Sequence, residues 1–313
     1  MSGAAGPAVD VPALHSLAPE LGVELPAESL ADCGACPMAG QPFLSDVRCC
    51  TFHPVLPNFL AGRALLRGGV GTDKLRERLG SEDGLDPRGV GPPEGWKEAY
   101  EQDREEAFGR RRSWACPLWV EGELSCSIWA DRNSTCRSWF CRHVDGAHGQ
   151  RAWGAWRALG RGAESALARR AAEAVAGPED PEGVDGWAAY YVACWRWVEA
   201  LSEDEAWSLR TDHLEGLAAA VVVASGSLVP DMPAHPLPNV RSVAPDGDHV
   251  VLVGFSDWQP GRFPARVFEV LGELDGQRSW PEAVARARGR GVDVDPAWGR
   301  ALFDLDLLRE AEL

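Results

Sequence analysis

Eight of the nine cysteines in this 313-residue chain fall into two tight groups. The first reads Cys33-Gly-Ala-Cys36 followed by Cys49-Cys50, and the second holds Cys116, Cys126, Cys136 and Cys141. A fold that carries thiols in this grouping must use them as a disulfide framework, a metal site or a redox centre, and the compartment decides among these. The N-terminus has no basic start and no continuous apolar run, so no secretory signal is expected. The most apolar stretch, residues 216–229, is too short and too rich in alanine to span a bilayer. The expectation is a soluble, cytoplasmic protein with no membrane partner. In a reducing cytosol, clustered cysteines point to metal ligands or catalytic thiols rather than to structural disulfides.

Charge narrows the partners further. Acidic residues outnumber basic ones 47 to 31, for a formal net charge of −16. Nonspecific nucleic-acid binding depends on cationic counterion release, so nucleic acid is excluded as an expected partner. Arginine supplies nearly all the positive charge, since Lys74 and Lys97 are the only lysines.

The local patterns predict a mainly α fold with irregular cysteine-rich loops. Pro37, Pro42, Pro54 and Pro57 rule out a long regular element around the first cysteine group. Phe59, Leu60, Leu65 and Leu66 give a helical pattern, and Thr72 or Asp73 can cap a short helix that follows. Residues 81–95 read as a surface loop and 96–110 as a polar helix. Helices are also expected over 150–176 and 187–201. The latter carries Trp187, Tyr191, Cys194, Val198 and Leu201 in one amphipathic stripe. Ser202 and Glu205 form a capping-box pattern that opens a helix over 202–224, with 216–224 buried. Residues 225–239 are rich in proline and read as a linker. Beyond it, a hairpin turning at Asp246-Gly247 precedes three short helices. Two domains are therefore expected: an α-rich cysteine domain over 1–228 and a C-terminal α+β winged-helix-like module over 238–313.

Metal binding has a direct physical logic here. Thiolates are soft ligands suited to zinc, copper(I) and iron–sulfur clusters, and a Cys-x-x-Cys turn aims two sulfurs at one ion. Eight sulfurs suffice for two four-cysteine sites or for one cluster with four thiols to spare. The vicinal pair Cys49-Cys50 can feed two metals, or one metal at a sharp turn.

The segment from Cys126 through Arg132, Cys136-Arg137 and Cys141, with Cys116-Pro117-Leu118 before it, resembles the second half of the YkgJ-type cysteine-cluster family. Cys33, Cys36, Cys49 and Cys50 match the first half in order. Asn133 stands where that family usually has proline, and the gap between Cys36 and Cys49 is longer. The family is described as a zinc- or iron-chelating domain and includes flagellin lysine N-methylases. The resemblance covers about residues 31–145 and implies that Cys33, Cys36, Cys49, Cys50, Cys116, Cys126, Cys136 and Cys141 hold a metal or an iron–sulfur cluster. An iron–sulfur cluster is favoured by those relatives and by the tryptophan- and phenylalanine-rich surroundings, which exclude water. Zinc is favoured by the simple Cys-x-x-Cys box. The region from Val267 to Gly276 and Leu307-Leu308 resembles winged-helix modules related to PqqD, which take a peptide as an added strand.

Other residues are weighed against plainer roles. His53 and His143 lie close to cysteines and are ligand candidates, though a hydrogen-bonded histidine beside the site is the simpler reading. His148 reads as a loop residue, and Cys194 as a core thiol. Arg132 and Arg137 either stabilise thiolate charge and bind an anion or cofactor, or form ordinary salt bridges. Gly68 to Thr72 lacks the spacing of a phosphate loop and reads as a turn. No S-adenosylmethionine motif is present. The leading expectation is a metal- or iron–sulfur-binding protein serving electron transfer or the modification of a protein or peptide. The alternatives are a lysine N-methylase-like or peptide-modifying enzyme, and a noncatalytic zinc-stabilised scaffold.

Overall fold

Close helix packing against Gly62 organises the first part of the chain. In the computed structural model, which describes residues 10–32, 35–122, 124–176 and 181–311, a side-chain carbon at Gly62 would lie 1.9 Å from the carbonyl oxygen of Tyr191. Only glycine lets the helix Asn58–Arg67 lie this close to the helix Gly183–Glu199. Tyr191 is fully buried there, its hydroxyl 3.0 and 3.1 Å from the carbonyl oxygens of Asp86 and Gly89. Those carbonyls belong to a small antiparallel sheet of Leu56–Pro57, Gly89–Val90 and Leu85–Asp86, formed within the stretch read as a loop. The Asn58 amide ties the sheet to the long helix Gly146–Val175 by donating to the carbonyls of Pro87 and Ala168.

The chain forms two units. The first comprises residues 1–25, 32–139 and 153–223, and the second 26–31, 140–152 and 224–313. Helices dominate, and every sheet is small and antiparallel, as the sequence leads one to expect at that coarse level. No helix among the described residues is long and apolar enough to cross a membrane.

Several expectations are corrected in detail. The glycine-rich segment read as a turn opens a helix, Gly69–Leu79. Thr72 does not cap it; its hydroxyl bonds back to the carbonyls of Ala64 and Leu65, fastening two consecutive helices. The polar helix over 96–110 breaks into Trp96–Gln102 and Arg104–Ala107. Asp103 at the break accepts from Trp114 and Arg111 instead. The Ser202–Glu205 capping box is present, but the helix it opens, Glu203–Trp207, ends before a second one, Asp212–Ser225. Arg210 lies between them and turns to Glu20 and to the Leu17 carbonyl. Of the apolar run expected to be buried, Ala218 and Val221 are, while Val222 and Val223 are 56% and 69% exposed.

In the second unit, alternation places Val250 and Leu252 inward from the strand His249–Val253. That strand pairs with Ser242–Asp246 and Gly261–Pro264. Gly247 takes a positive φ of 64° at the expected hairpin turn, a conformation that costs glycine little. Three helices follow as expected, Val267–Leu271, Trp280–Gly289 and Ala297–Asp304, and bury Val270, Ala283 and Leu302 against the sheet. The proline-rich stretch read as a linker supplies a strand, Pro236–Pro238, antiparallel to Leu308–Glu310. Glu28 joins residues 26–31 to this unit. Its carboxylate accepts from the Val144 amide and meets Nδ1 of His143 at 2.8 Å, with both side chains buried.

Two glycine substitutions test this packing in opposite directions. Gly62→Ala drives a methyl into backbone and is expected to destabilise by about 2–4 kcal/mol. Gly154→Ala, on the long helix with nothing within 4 Å, is expected to stabilise by about 0.5–1 kcal/mol. Urea unfolding followed by circular dichroism measures both.

Candidate functional site

The cysteines of the first unit come together on loops that are each held by backbone bonding. The Cys116 amide donates to the Cys50 carbonyl at 2.9 Å, so the two cysteine groups meet directly. A two-stranded ladder then pairs Trp119 with Cys126. Cys136 sits in the one-turn helix Ser134–Ser138, whose N-cap is Asn133. The Asn133 side chain accepts from the Cys136 amide at 3.0 Å and donates to the Val55 carbonyl at 2.7 Å. Asn133 therefore has a specific task as the cap of this helix, one that a side chain without an oxygen could not perform.

The thiols also act on one another electrostatically. A negative charge on Cys49 raises the pKa of Cys36 and of Cys136, and charges on Cys116 and Cys126 raise those of Cys50 and Cys136. Six thiols, Cys36, Cys49, Cys50, Cys116, Cys126 and Cys136, thus feel one another. Burial pushes Cys116 up to about 12 and drives Cys136 higher still. The vicinal pair shares a hydrogen bond that favours the thiolate on Cys49 and the thiol on Cys50. None of the eight described cysteines is in a disulfide. Among the described residues, no three His, Cys, Asp or Glu side chains converge so as to hold an ion. Cys33 lies outside the described residues, and Cys141 is buried in the second unit. Cys194 is a core thiol, fully buried on its helix.

Cations surround the thiols. Arg132 is buried, stacks on Trp129 with its guanidinium carbon 3.4 Å from the ring centre, and donates to the Cys136 carbonyl. Its charge favours thiolate at Cys49, Cys126 and Cys136. Arg137 donates to the Arg132 and Ala130 carbonyls, and burial with the neighbouring charges of Arg132 and Arg63 pushes it down to about 10. Next to them, the buried Asp131 carboxylate pairs with Arg63 at 2.5 Å and Arg67 at 2.8 Å. The cysteine loop is thereby pinned to the helix Asn58–Arg67. On the other flank Phe52, Trp96, Tyr100 and Trp114 form an aromatic cluster with centroids 4.7–5.8 Å apart.

His53 joins the thiols at a small cavity of about 30 Å³, whose wall includes Cys116, Cys126, Cys136, Arg132 and Asn133. Burial and the charge of Arg78 push its imidazole down to about 4, so it is neutral near pH 7. His143 has the hydrogen-bonded role described above in the second unit. His148, read as a loop residue, is buried in the first turn of the long helix and packs on Phe303.

Sequence reasoning missed Glu164. Both the amide and the hydroxyl of Ser134 donate to its Oε1 at 2.7 Å, and the residue is 3% exposed. Gly160, one turn earlier, lets Ser134 approach: a side-chain carbon there would lie 2.3 Å from the hydroxyl oxygen. The signal was present in the spacing. Glu164 shares the helix face that buries Trp153, Trp156, Leu167 and Ala171, which is no place for a solvated carboxylate.

Burial pushes the Glu164 carboxyl up to about 7 from 4.5, against the lowering effects of Ser134, Arg137 and Arg161. A raised folded-state pKa means the fold prefers the protonated form. The contribution is complete below pH 4.5 and is lost as pH rises through about 7. Buried His53 acts in the opposite sense, but only between about 4 and 6.5. Melting temperature is therefore expected to fall between about pH 6.5 and 8 in the native chain and to stay flatter in Glu164→Gln. Equal slopes in the two proteins would contradict this.

No family model, no curated protein and no solved structure matches this chain.

Proposed function

We propose that the first unit binds a metal through its clustered cysteines, as an iron–sulfur cluster or as zinc, in support of electron transfer or of the modification of a protein or peptide. The mutual electrostatics of the six neighbouring thiols carries this reading. Burial makes Cys36, Cys116, Cys126 and Cys136 reluctant to ionise, and neighbouring thiolate charge adds to that cost at Cys36, Cys50, Cys116 and Cys136, so a bound cation would favour their ionising together. Arg132 and Arg48 supply positive charge that acts on the thiols but no ligand atom, since guanidinium donates and never accepts. The proposed ligand set is Cys36, Cys49, Cys50, Cys116, Cys126 and Cys136, to which the sequence pattern adds Cys33. An iron–sulfur cluster is supported by the number of thiols and by the aromatic rings near Cys49-Cys50. Iron would supply one-electron chemistry at that point.

A single zinc ion in a noncatalytic scaffold is the second reading. It is favoured by the small cavity, whose lining includes the neutral His53 imidazole with Cys116, Cys126 and Cys136, residue types that zinc takes. For the second unit, a winged-helix-like reading is supported by the three-stranded sheet with three helices, and its partner would be a protein or peptide segment.

Anaerobic purification with metal analysis, sulfide assay and a visible spectrum separates the two readings. Iron with acid-labile sulfide is expected for the cluster, and a colourless protein with stoichiometric zinc for the scaffold. Cys136→Ser is expected to lose the metal and Cys194→Ser to keep it. A folded protein that retains neither metal, or one that keeps metal equally in both variants, would overturn the proposal.

A further inference from the structure

His53, Pro54 and Asn133 also line a second, much larger space within the first unit. This cleft has a volume of about 840 Å³, within the range of small-molecule sites. Apart from the histidines His53 and His213, its ionisable groups are Arg88, Lys97, Arg161, Asp86 and Glu164. Asp86 is already committed, held by both Nε and a terminal nitrogen of Arg88. Glu164 is committed to Ser134, whose amide and hydroxyl both donate to it. Lys97 and Arg161 remain. Both are exposed, and among the described residues neither forms an ion pair or a hydrogen bond.

Lys97 and Arg161 both line the cleft, and Glu164, the acid whose carboxyl feels the Arg161 charge, makes no ion pair with it among the described residues. Phe52, Val55 and Leu217 add apolar surface to the same walls. We propose that the cleft binds a small organic oxyanion with an apolar body, the oxyanion held by Lys97 and Arg161 and the body packed on Phe52, Val55 and Leu217. The unpaired cations then have the partner that the fold withholds, and charge-assisted hydrogen bonds to them fix the orientation. Because His53 and Asn133 line both spaces, the ligand would lie against the wall that borders the thiols. The proposal stands whether or not those thiols hold a metal.

The test uses the full chain and two fluorescent probes that share an apolar body, 1-anilinonaphthalene-8-sulfonate and the uncharged N-phenyl-1-naphthylamine. Saturable one-to-one binding of the sulfonate is expected, at least about tenfold tighter than the neutral probe. The double variant Lys97→Ala, Arg161→Ala is expected to lose about that factor for the sulfonate and none for the neutral probe. Ser165→Trp, which places an indole in the cleft wall, is expected to weaken both. Near-UV circular dichroism checks that each variant keeps its packing. Displacement by citrate identifies a carboxylate site and displacement by pyrophosphate a phosphate site. Equal affinity for both probes, unchanged sulfonate binding in the double variant, or displacement by neither anion would overturn the proposal.

Discussion

The buried ion pair of Asp131 with Arg63, joined from the surface by Arg67, is the constraint on which the first unit rests. Asp131 is 1% exposed, and Arg63 is almost as buried. Beyond the carboxylate, Arg63 donates to the carbonyls of Asp10 and Ala130, so one guanidinium draws three segments distant in sequence to one point. Such a group adds little net stability over a well-packed apolar equivalent, but losing one partner strands a buried charge at a cost of several kcal/mol. Its value is positional. Register errors in the irregular cysteine loops would break it, and those loops have little regular structure of their own to fix their path.

Around this anchor, the charges nearest the thiols and the cleft differ in sign from the chain as a whole. The protein is strongly acidic overall, yet Arg132 and Arg137 stand beside the thiols, and Lys97 and Arg161 face the neighbouring cleft. Desolvation alone makes the thiols reluctant to ionise, and their mutual repulsion makes them more so. A cation offsets both costs at once. The same neutral, buried thiols without an ion would be a cluster of weak hydrogen-bonding groups with no clear gain over valine or alanine at those positions.

What could be read from the sequence was what depends on neighbours in sequence. The hairpin at Asp246-Gly247, the Ser202–Glu205 box and the amphipathic stripe through Tyr191 and Cys194 are set by local turn chemistry or by helical period, and all are present. The misses come from long-range partners. Pro236–Pro238 reads as linker because its strand exists only through pairing with Leu308–Glu310. The helix expected across 202–224 breaks where Arg210 finds Glu20, some 190 residues away in the chain. The grouping of cysteines was legible from spacing, but the meeting of Cys116 with Cys50 is a backbone bond that no pattern announces. Asn133 and Glu164 reveal their roles only once the one-turn helix holding Cys136 is seen latched to Val55 on one side and to the long helix on the other.

The central claim, that these thiols ionise around a metal, is tested most directly by X-ray absorption at the iron and zinc edges of the anaerobically purified chain. Sulfur neighbours at about 2.3 Å are expected at the edge of whichever metal is present. A metal surrounded only by nitrogen and oxygen would contradict it, as would a folded chain that retains no metal.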